Sequence, residues 1–223
     1  MSFQNYKSID GIANADGLVL DQVDVSKLTV TSIDVGDSRG NVLMGKSAGD
    51  SLLALGARNI FLGRRAGQYA TSAEDCIAIG EDAGNLLNTG ARNILIGREA
   101  GFNVDQLSDN LCIGPRAGKE LAGGSGDNVF LGSSAHRDGK TGDRNVFVGV
   151  RAGVSASGNR NAVLGHGALG ISESDHAVAI GYNVAPLHVT GNRNVFLGSE
   201  CAPLLADGAK NLILGPDAAA SLS

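Results

Sequence analysis

The 223-residue chain has no Trp, only three Cys, four Pro and 4% aromatic residues. Each shortage excludes something. Cys76, Cys112 and Cys201 are an odd number without CxxC spacing, which argues against a disulfide framework or a zinc site. So few prolines, without a strict G-X-Y period, exclude collagen. No run of 18 apolar residues marks a membrane span. Neither sign of charge dominates. Eighteen Lys and Arg against 23 Asp and Glu leave a net charge of −5, which argues against nucleic acid as the main partner. The opening residues, MSFQNYKSIDGIANADG, lack the basic start and apolar stretch of a secretory signal. Hydrophobic content of 43% is too high for a disordered chain. What is plentiful is Gly, with 33 residues. An interior Gly costs a helix about 1 kcal/mol against Ala, so these glycines punctuate an ordered, non-helical fold.

Their period identifies that fold. The pattern Asn, three mostly apolar residues, Gly reads NVLMG at 41–45, NIFLG at 59–63, NILIG at 93–97, NLCIG at 110–114, NVFLG at 128–132 and NVFVG at 145–149. It continues as NAVLG at 161–165, NVFLG at 194–198 and NLILG at 211–215, and CIAIG (76–80) and AVAIG (177–181) lack only the Asn. The steps between the eleven glycines are 16 to 18 residues. Three residues after each Gly stands an Ala, from Ala48 to Ala218, except at Val184 and Cys201. Six glycines (Gly56, Gly90, Gly142, Gly158, Gly191, Gly208) recur three before the Asn position. Such a period is too short for a helical repeat and fits one turn of a parallel β-solenoid. The Gly columns are its corners, and the apolar triplets are its strands. Coils about 4.8 Å apart would stack into a rod of roughly 50 Å. Asn59, Asn93, Asn110, Asn128, Asn145, Asn161, Asn194 and Asn211 are expected to form an axial ladder, because an amide both donates and accepts.

The strands are apolar on both faces. First and third positions point one way and the middle position the other, and a strand apolar on both faces is buried on both. A thin two-stranded coil has one interior, so its other face is an apolar stripe too large for a soluble monomer. A symmetric homo-oligomer is the default cover.

The unit N-x-x-x-G-x-x-A-G resembles the head repeats of trimeric autotransporter adhesins, whose motif reads roughly N-S-V-A-I-G, and repeats in bacteriophage fibre and whisker proteins. CIAIG and AVAIG are the nearest copies. The resemblance covers about 41–219 and implies a left-handed parallel β-roll, three chains around one axis, and an adhesive or virion-fibre role. Phe61, Phe130, Phe147 and Phe196, at the middle strand position, are then the candidate trimer-facing side chains. Residues 1–40 differ from the repeats. LVLDQVDVSKLTVTSIDV (18–35) alternates like a strand and is expected to cap the first coil, with 1–17 attaching the fibre to its particle. Residues 220–223 are a short C-terminal tail.

Other chemistry is thinly represented. LGRRAG (62–67) and IGEDAG (79–84) fit the hexapeptide of left-handed β-helix acyltransferases, but only once per coil where a triangular coil needs three. His136, His166, His176 and His188 lie in different coils with no shared context for a general base, and each is expected to be a solvated corner residue. GGSGDN (123–128) is a single imperfect match to a calcium-binding repeat. Glu74-Asp75 and Glu81-Asp82 are solvated pairs by default. The cysteines lie too far apart along the axis to pair within a chain, although copies of Cys112 could meet across an oligomer axis. The residue before the Asn position alternates in sign at first (Arg58, Asp75, Arg92, Asp109) and then becomes basic. Arg144, Arg160, Arg193 and Lys210, with His176 among them, form a candidate anion-binding stripe for acidic glycans or phosphates. The sequence therefore reads as a non-enzymatic, cofactor-free homotrimeric fibre of a phage-like virion, in contact with other virion proteins and a host-surface glycan. A bacterial surface adhesin head and an acyltransferase are the alternatives.

Overall fold

The computed structural model describes residues 39–53, 55–121, 126–139, 142–187, 189–202 and 208–219. The attachment and capping segment expected at 1–40 lies outside these, apart from its last two residues, as does the tail at 220–223. Among the described residues there is no helix, and they form an all-β parallel solenoid in which each sequence repeat supplies one strand of the main sheet.

The strands are β1 (Val42–Met44), β2 (Ile60–Leu62), β3 (Ile77–Ile79), β4 (Ile94–Ile96), β5 (Leu111–Ile113), β6 (Val129–Leu131) and β7 (Val146–Val148). They continue as β8 (Ala162–Leu164), β9 (Ser172–Glu173), β10 (Val178–Ile180), β11 (Val189–Thr190), β12 (Val195–Leu197) and β13 (Leu212–Leu214). All but β9 and β11 form one eleven-stranded parallel sheet in chain order, and β9 and β11 pair with each other. The register aligns like with like: Phe61 pairs with Ala78, Ala78 with Leu95, Leu95 with Cys112, and Phe130 with Phe147.

Each main strand stops after its third position because the next is a Gly with φ between +127° and +143° from Gly45 to Gly198. These corners meet along the axis. A Cβ on Gly97 would lie 2.6 Å from the carbonyl carbon of Gly114 and 2.7 Å from its oxygen, so the residue must be Gly. Three more positions per coil are left-handed: the residue after the Ala column, most often Gly, and two that are mostly not Gly. One precedes the Asn position (Arg160, φ 58°; Lys210, φ 62°), and the other precedes the Ala column (Arg65, φ 60°; Asp217, φ 54°). Such a backbone costs an L-residue roughly 1–2 kcal/mol. It places the N–H on the neighbouring coil, as in Arg160 N to Asp143 O (2.9 Å) and Arg65 N to Lys46 O (2.8 Å).

The core is a narrow file along the axis. A typical coil contributes its middle strand residue, its Ala-column residue and the residue seven after the corner Gly. Phe61, Leu95, Phe130, Ala66, Ala100, Leu87 and Leu121 are all fully buried. Val184 and Cys201, the two departures from the Ala column, are buried in the same file.

Gly97→Ala should destabilise the chain by about 3 kcal/mol, read as an earlier denaturation midpoint in urea. Arg160→Gly, in which relief of the left-handed backbone is offset by the greater chain entropy that Gly loses on folding, should leave that midpoint nearly unmoved.

Candidate functional site

The Asn ladder forms, and its bonding is more specific than stacked amides. Each side-chain oxygen accepts from the backbone N–H of the next coil: Asn110 N to Asn93 Oδ1 (3.1 Å), Asn145 N to Asn128 Oδ1 (2.9 Å), Asn161 N to Asn145 Oδ1 (3.0 Å) and Asn211 N to Asn194 Oδ1 (3.0 Å). Several Nδ2 groups donate to the preceding oxygen, as Asn128 does to Asn110 (3.0 Å). Most also donate to a carbonyl near the Gly column: Asn59 to Ala73 O (2.7 Å), Asn128 to Gly142 O (3.1 Å) and Asn194 to Gly208 O (2.8 Å). Asn41, which the expected ladder does not include, is its first rung, accepting from Asn59 N and Nδ2 at 3.0 Å. At Cys76 the thiol sulfur stands in, accepting from Asn93 N at 3.5 Å. Burial raises the pKa of that thiol. At Ala177 the amide side chain is missing, although its N–H still donates to Asn161 Oδ1 (2.8 Å). Asn41, Asn59, Asn93, Asn110, Asn128, Asn145, Asn161 and Asn194 are buried. The ladder is thus internal to the chain, a structural device and not a ligand site.

The expected trimer-facing phenylalanines need correction. Phe61, Phe130, Phe147 and Phe196 are at most 1% exposed within the single chain, since the middle strand position points into the coil's own file. Cys112 shares that file, so its thiol cannot meet a copy across an axis, and burial lifts its pKa to about 12. All three cysteines are buried and free. The outward face belongs to the first and third strand positions. Ile94, Ile113, Val146, Leu164 and Ile180 are 36–49% exposed; Ile94 and Val146 lie in the first-position row of the sheet and Ile113, Leu164 and Ile180 in the third-position row, from β4 through β10. An apolar stripe therefore runs along the sheet, carried by small aliphatic side chains instead of the aromatics.

The charged column behaves differently in its two halves. Arg58 holds Asp75 through Nε (2.5 Å) and Nη2 (2.8 Å), and Arg92 holds Asp109 through the same two groups at 2.6 Å. Those hydrogen bonds keep both carboxyl groups below the usual carboxylate range. Arg144 has a looser partner in Asp127 at 3.7 Å. Arg160, Arg193 and Lys210 are exposed and form no ion pair among the described residues. The four expected stripe residues thus share one column, with Arg144 partly neutralised.

His136 departs from its expected place at a solvated corner. It is 1% exposed, stacked on Phe130 (ring centroids 4.5 Å apart) and 5.3 Å from Phe147. Where most coils carry Gly after the Ala column, this coil carries His136 with φ 49°. Where most others carry Ala, Val or Leu seven after the corner, it has Gly139. A Cβ there would collide with the imidazole, so the ring fills that space. Its Nδ1 and Nε2 have no hydrogen-bond partner among the described residues. Burial pushes its pKa down to about 4, weakly opposed by the nearby Gly153 backbone. The exchange is written in the sequence as a paired change at positions 136 and 139.

Among the described residues, no group of three His, Cys, Asp or Glu side chains is placed to hold a metal ion, and no helix is long and apolar enough to cross a membrane. Comparison with known protein families, curated proteins and solved structures returned no match.

Asn128→Ala removes the partners of the Asn145 N–H and the Gly142 carbonyl. It should cost about 3 kcal/mol in chemical denaturation. Cys76→Asn, which restores a full rung, should instead raise stability by about 1 kcal/mol. A second expectation concerns acid. An unfolded His titrates near 6.5, and the folded His136 near 4. The unfolded state therefore binds the proton first. Stability is complete above about pH 6.5 and is lost as pH falls toward 4, by about 2 kcal/mol at pH 5. His136→Phe should flatten the stability profile between pH 6.5 and 5, measured by urea denaturation at each pH.

Proposed function

We propose that this chain is a non-enzymatic structural protein, a homotrimeric left-handed β-roll fibre that forms a collar, neck or tail appendage of a bacteriophage or phage-like virion and touches the host surface with its corners. The observation that carries the reading is the outward stripe of Ile94, Ile113, Val146, Leu164 and Ile180. Water-exposed aliphatic side chains that recur at the first and third strand positions over many coils call for a cover of equal length and period. Another copy of the same chain supplies both. The resemblance to trimeric head repeats and to phage fibre repeats supplies the copy number and the role. The regular use of strand, corner and ladder positions suits a load-bearing rod. The N-terminal segment is the part that would engage other virion proteins. Arg160, Arg193 and Lys210 give one edge a positive potential toward anionic host glycans.

Two measurements test this. Light scattering of the purified chain should give three times the 22.6 kDa protomer mass. Ile113→Glu with Leu164→Glu, both on the outward face, should yield a folded monomer. A wild-type monomer would overturn the trimer. Antibodies against residues 41–219 should label an appendage on purified particles from the producing culture. Labelling confined to the bacterial envelope would favour an adhesin head.

A further inference from the structure

The repeat is least regular around one coil. The two shortest steps between corner glycines run into and out of Gly165, from Gly149 and to Gly181. The position two after the corner carries a side chain in every coil except this one, where it is Gly167. The position five after the corner likewise carries a side chain everywhere but here, at Gly170. The extra strand pair β9–β11 begins immediately afterwards. Local breaks in an otherwise consistent repeat are where function is expected to reside.

The two missing side chains open a notch of about 240 Å³ between the flanking coils. Val154 on one side and Pro186 on the other, with Ile171 from the short coil, form apolar walls. Arg151, His166 and Asn183 stand around it as polar groups. Arg151 is exposed, and among the described residues its side chain has no ion-pair or hydrogen-bond partner. Asp138, the acid that senses its charge, is already held by Arg137 at 2.8 Å. On the rim, exposed Tyr182 stacks on His166 with ring centroids 5.5 Å apart.

We propose that this notch is a binding site for a carboxylated sugar, a uronic or sialic acid residue of a surface glycan. Its volume is smaller than that of sites for drug-sized ligands, which suits a single ring. The Arg151 guanidinium takes the carboxylate as a forked donor. The Asn183 amide and the His166 ring serve hydroxyl groups, and the apolar walls with the Tyr182 rim receive the C–H faces of the ring. A nucleic acid fits poorly, because one cation cannot neutralise a series of phosphates. The site rests on the host-contact part of the proposed function and gives that contact a place and a chemistry.

Saturation-transfer NMR on the full chain, with methyl glucuronide and methyl N-acetylneuraminide as probes, tests it. Both should bind saturably and at least tenfold more tightly than methyl glucoside or inorganic phosphate. Arg151→Asn removes the cation, and Gly167→Asn fills the notch. Both place Asn in a left-handed position that Asn183 already occupies in the same column (φ 46°). At Gly167 the new Cβ would lie 2.4 Å from Asn183 Oδ1, the free end of a side chain that can swing aside, so the fold should survive. Each should weaken binding at least tenfold while thermal unfolding stays cooperative, with an unchanged melting temperature for Arg151→Asn. Equal binding of methyl glucoside, equal binding of phosphate, or undiminished binding by both variants would overturn the site. The assay needs neither trimer nor particle. Sugar binding by a chain missing from virions, or virion labelling without sugar binding, would tell the two readings apart.

Discussion

A single coil, with its one short strand, encloses too little apolar volume to fold alone. It persists because its backbone groups bond to the coils before and after it, as Ile60 N does to Cys76 O and Gly63 N to Met44 O, both at 2.8 Å. The rest of the structure depends on that axial bonding. It requires close approach at the corners, which only Gly permits where a Cβ would enter the next carbonyl. It requires left-handed backbone at Arg65 and Arg160, where the strain is offset by the axial bond gained. It also requires the Asn column. There a side-chain oxygen takes the N–H of the next coil, so that fewer backbone groups are left without partners.

The interior obeys a volume rule that runs across positions. Phe61 at the strand centre lies so near Gly67 that a Cβ there would sit 2.5 Å from the ring. His136 occupies space vacated at Gly139, and Leu169, also buried with a left-handed backbone, accompanies the small Ser172. Close-packed interiors tolerate substitution when the total volume is kept. Here the exchange is between two positions of one coil, which lets a polar imidazole enter an apolar file at the cost of its ordinary basicity.

The surface divides by periodicity. Where each coil repeats the last, the outer face is uniform, which is the basis for proposing self-association there. The alternating Arg58, Asp75, Arg92 and Asp109 neutralise one another and add little stability, since exposed pairs are typically worth less than about 1 kcal/mol. The cations from Arg160 onward have no such balance. Around Gly165, where two side chains are missing and the repeat is at its shortest, the rod acquires a concave feature that distinguishes one coil from its neighbours.

The period, the corner glycines, the Asn ladder and the parallel all-β class were legible in the sequence alone. Each rests on a backbone demand repeated often enough to be read as a column. The sequence could not decide which strand face is inside, because Phe130 on one face and Val129 and Leu131 on the other are all apolar. The bulk of the aromatics suggested an interface, whereas the coil's own narrow interior claims them. Nor could it show that the Arg-rich columns adopt left-handed backbone, because Arg has no preference for that region, unlike Asp, which visits it more readily. The burial of His136 and the notch beside Arg151 each depend on absent side chains, at Gly139 and at Gly167 with Gly170. The folded coils were needed to resolve them, because an absent side chain acquires meaning from what the adjoining coils place around the gap.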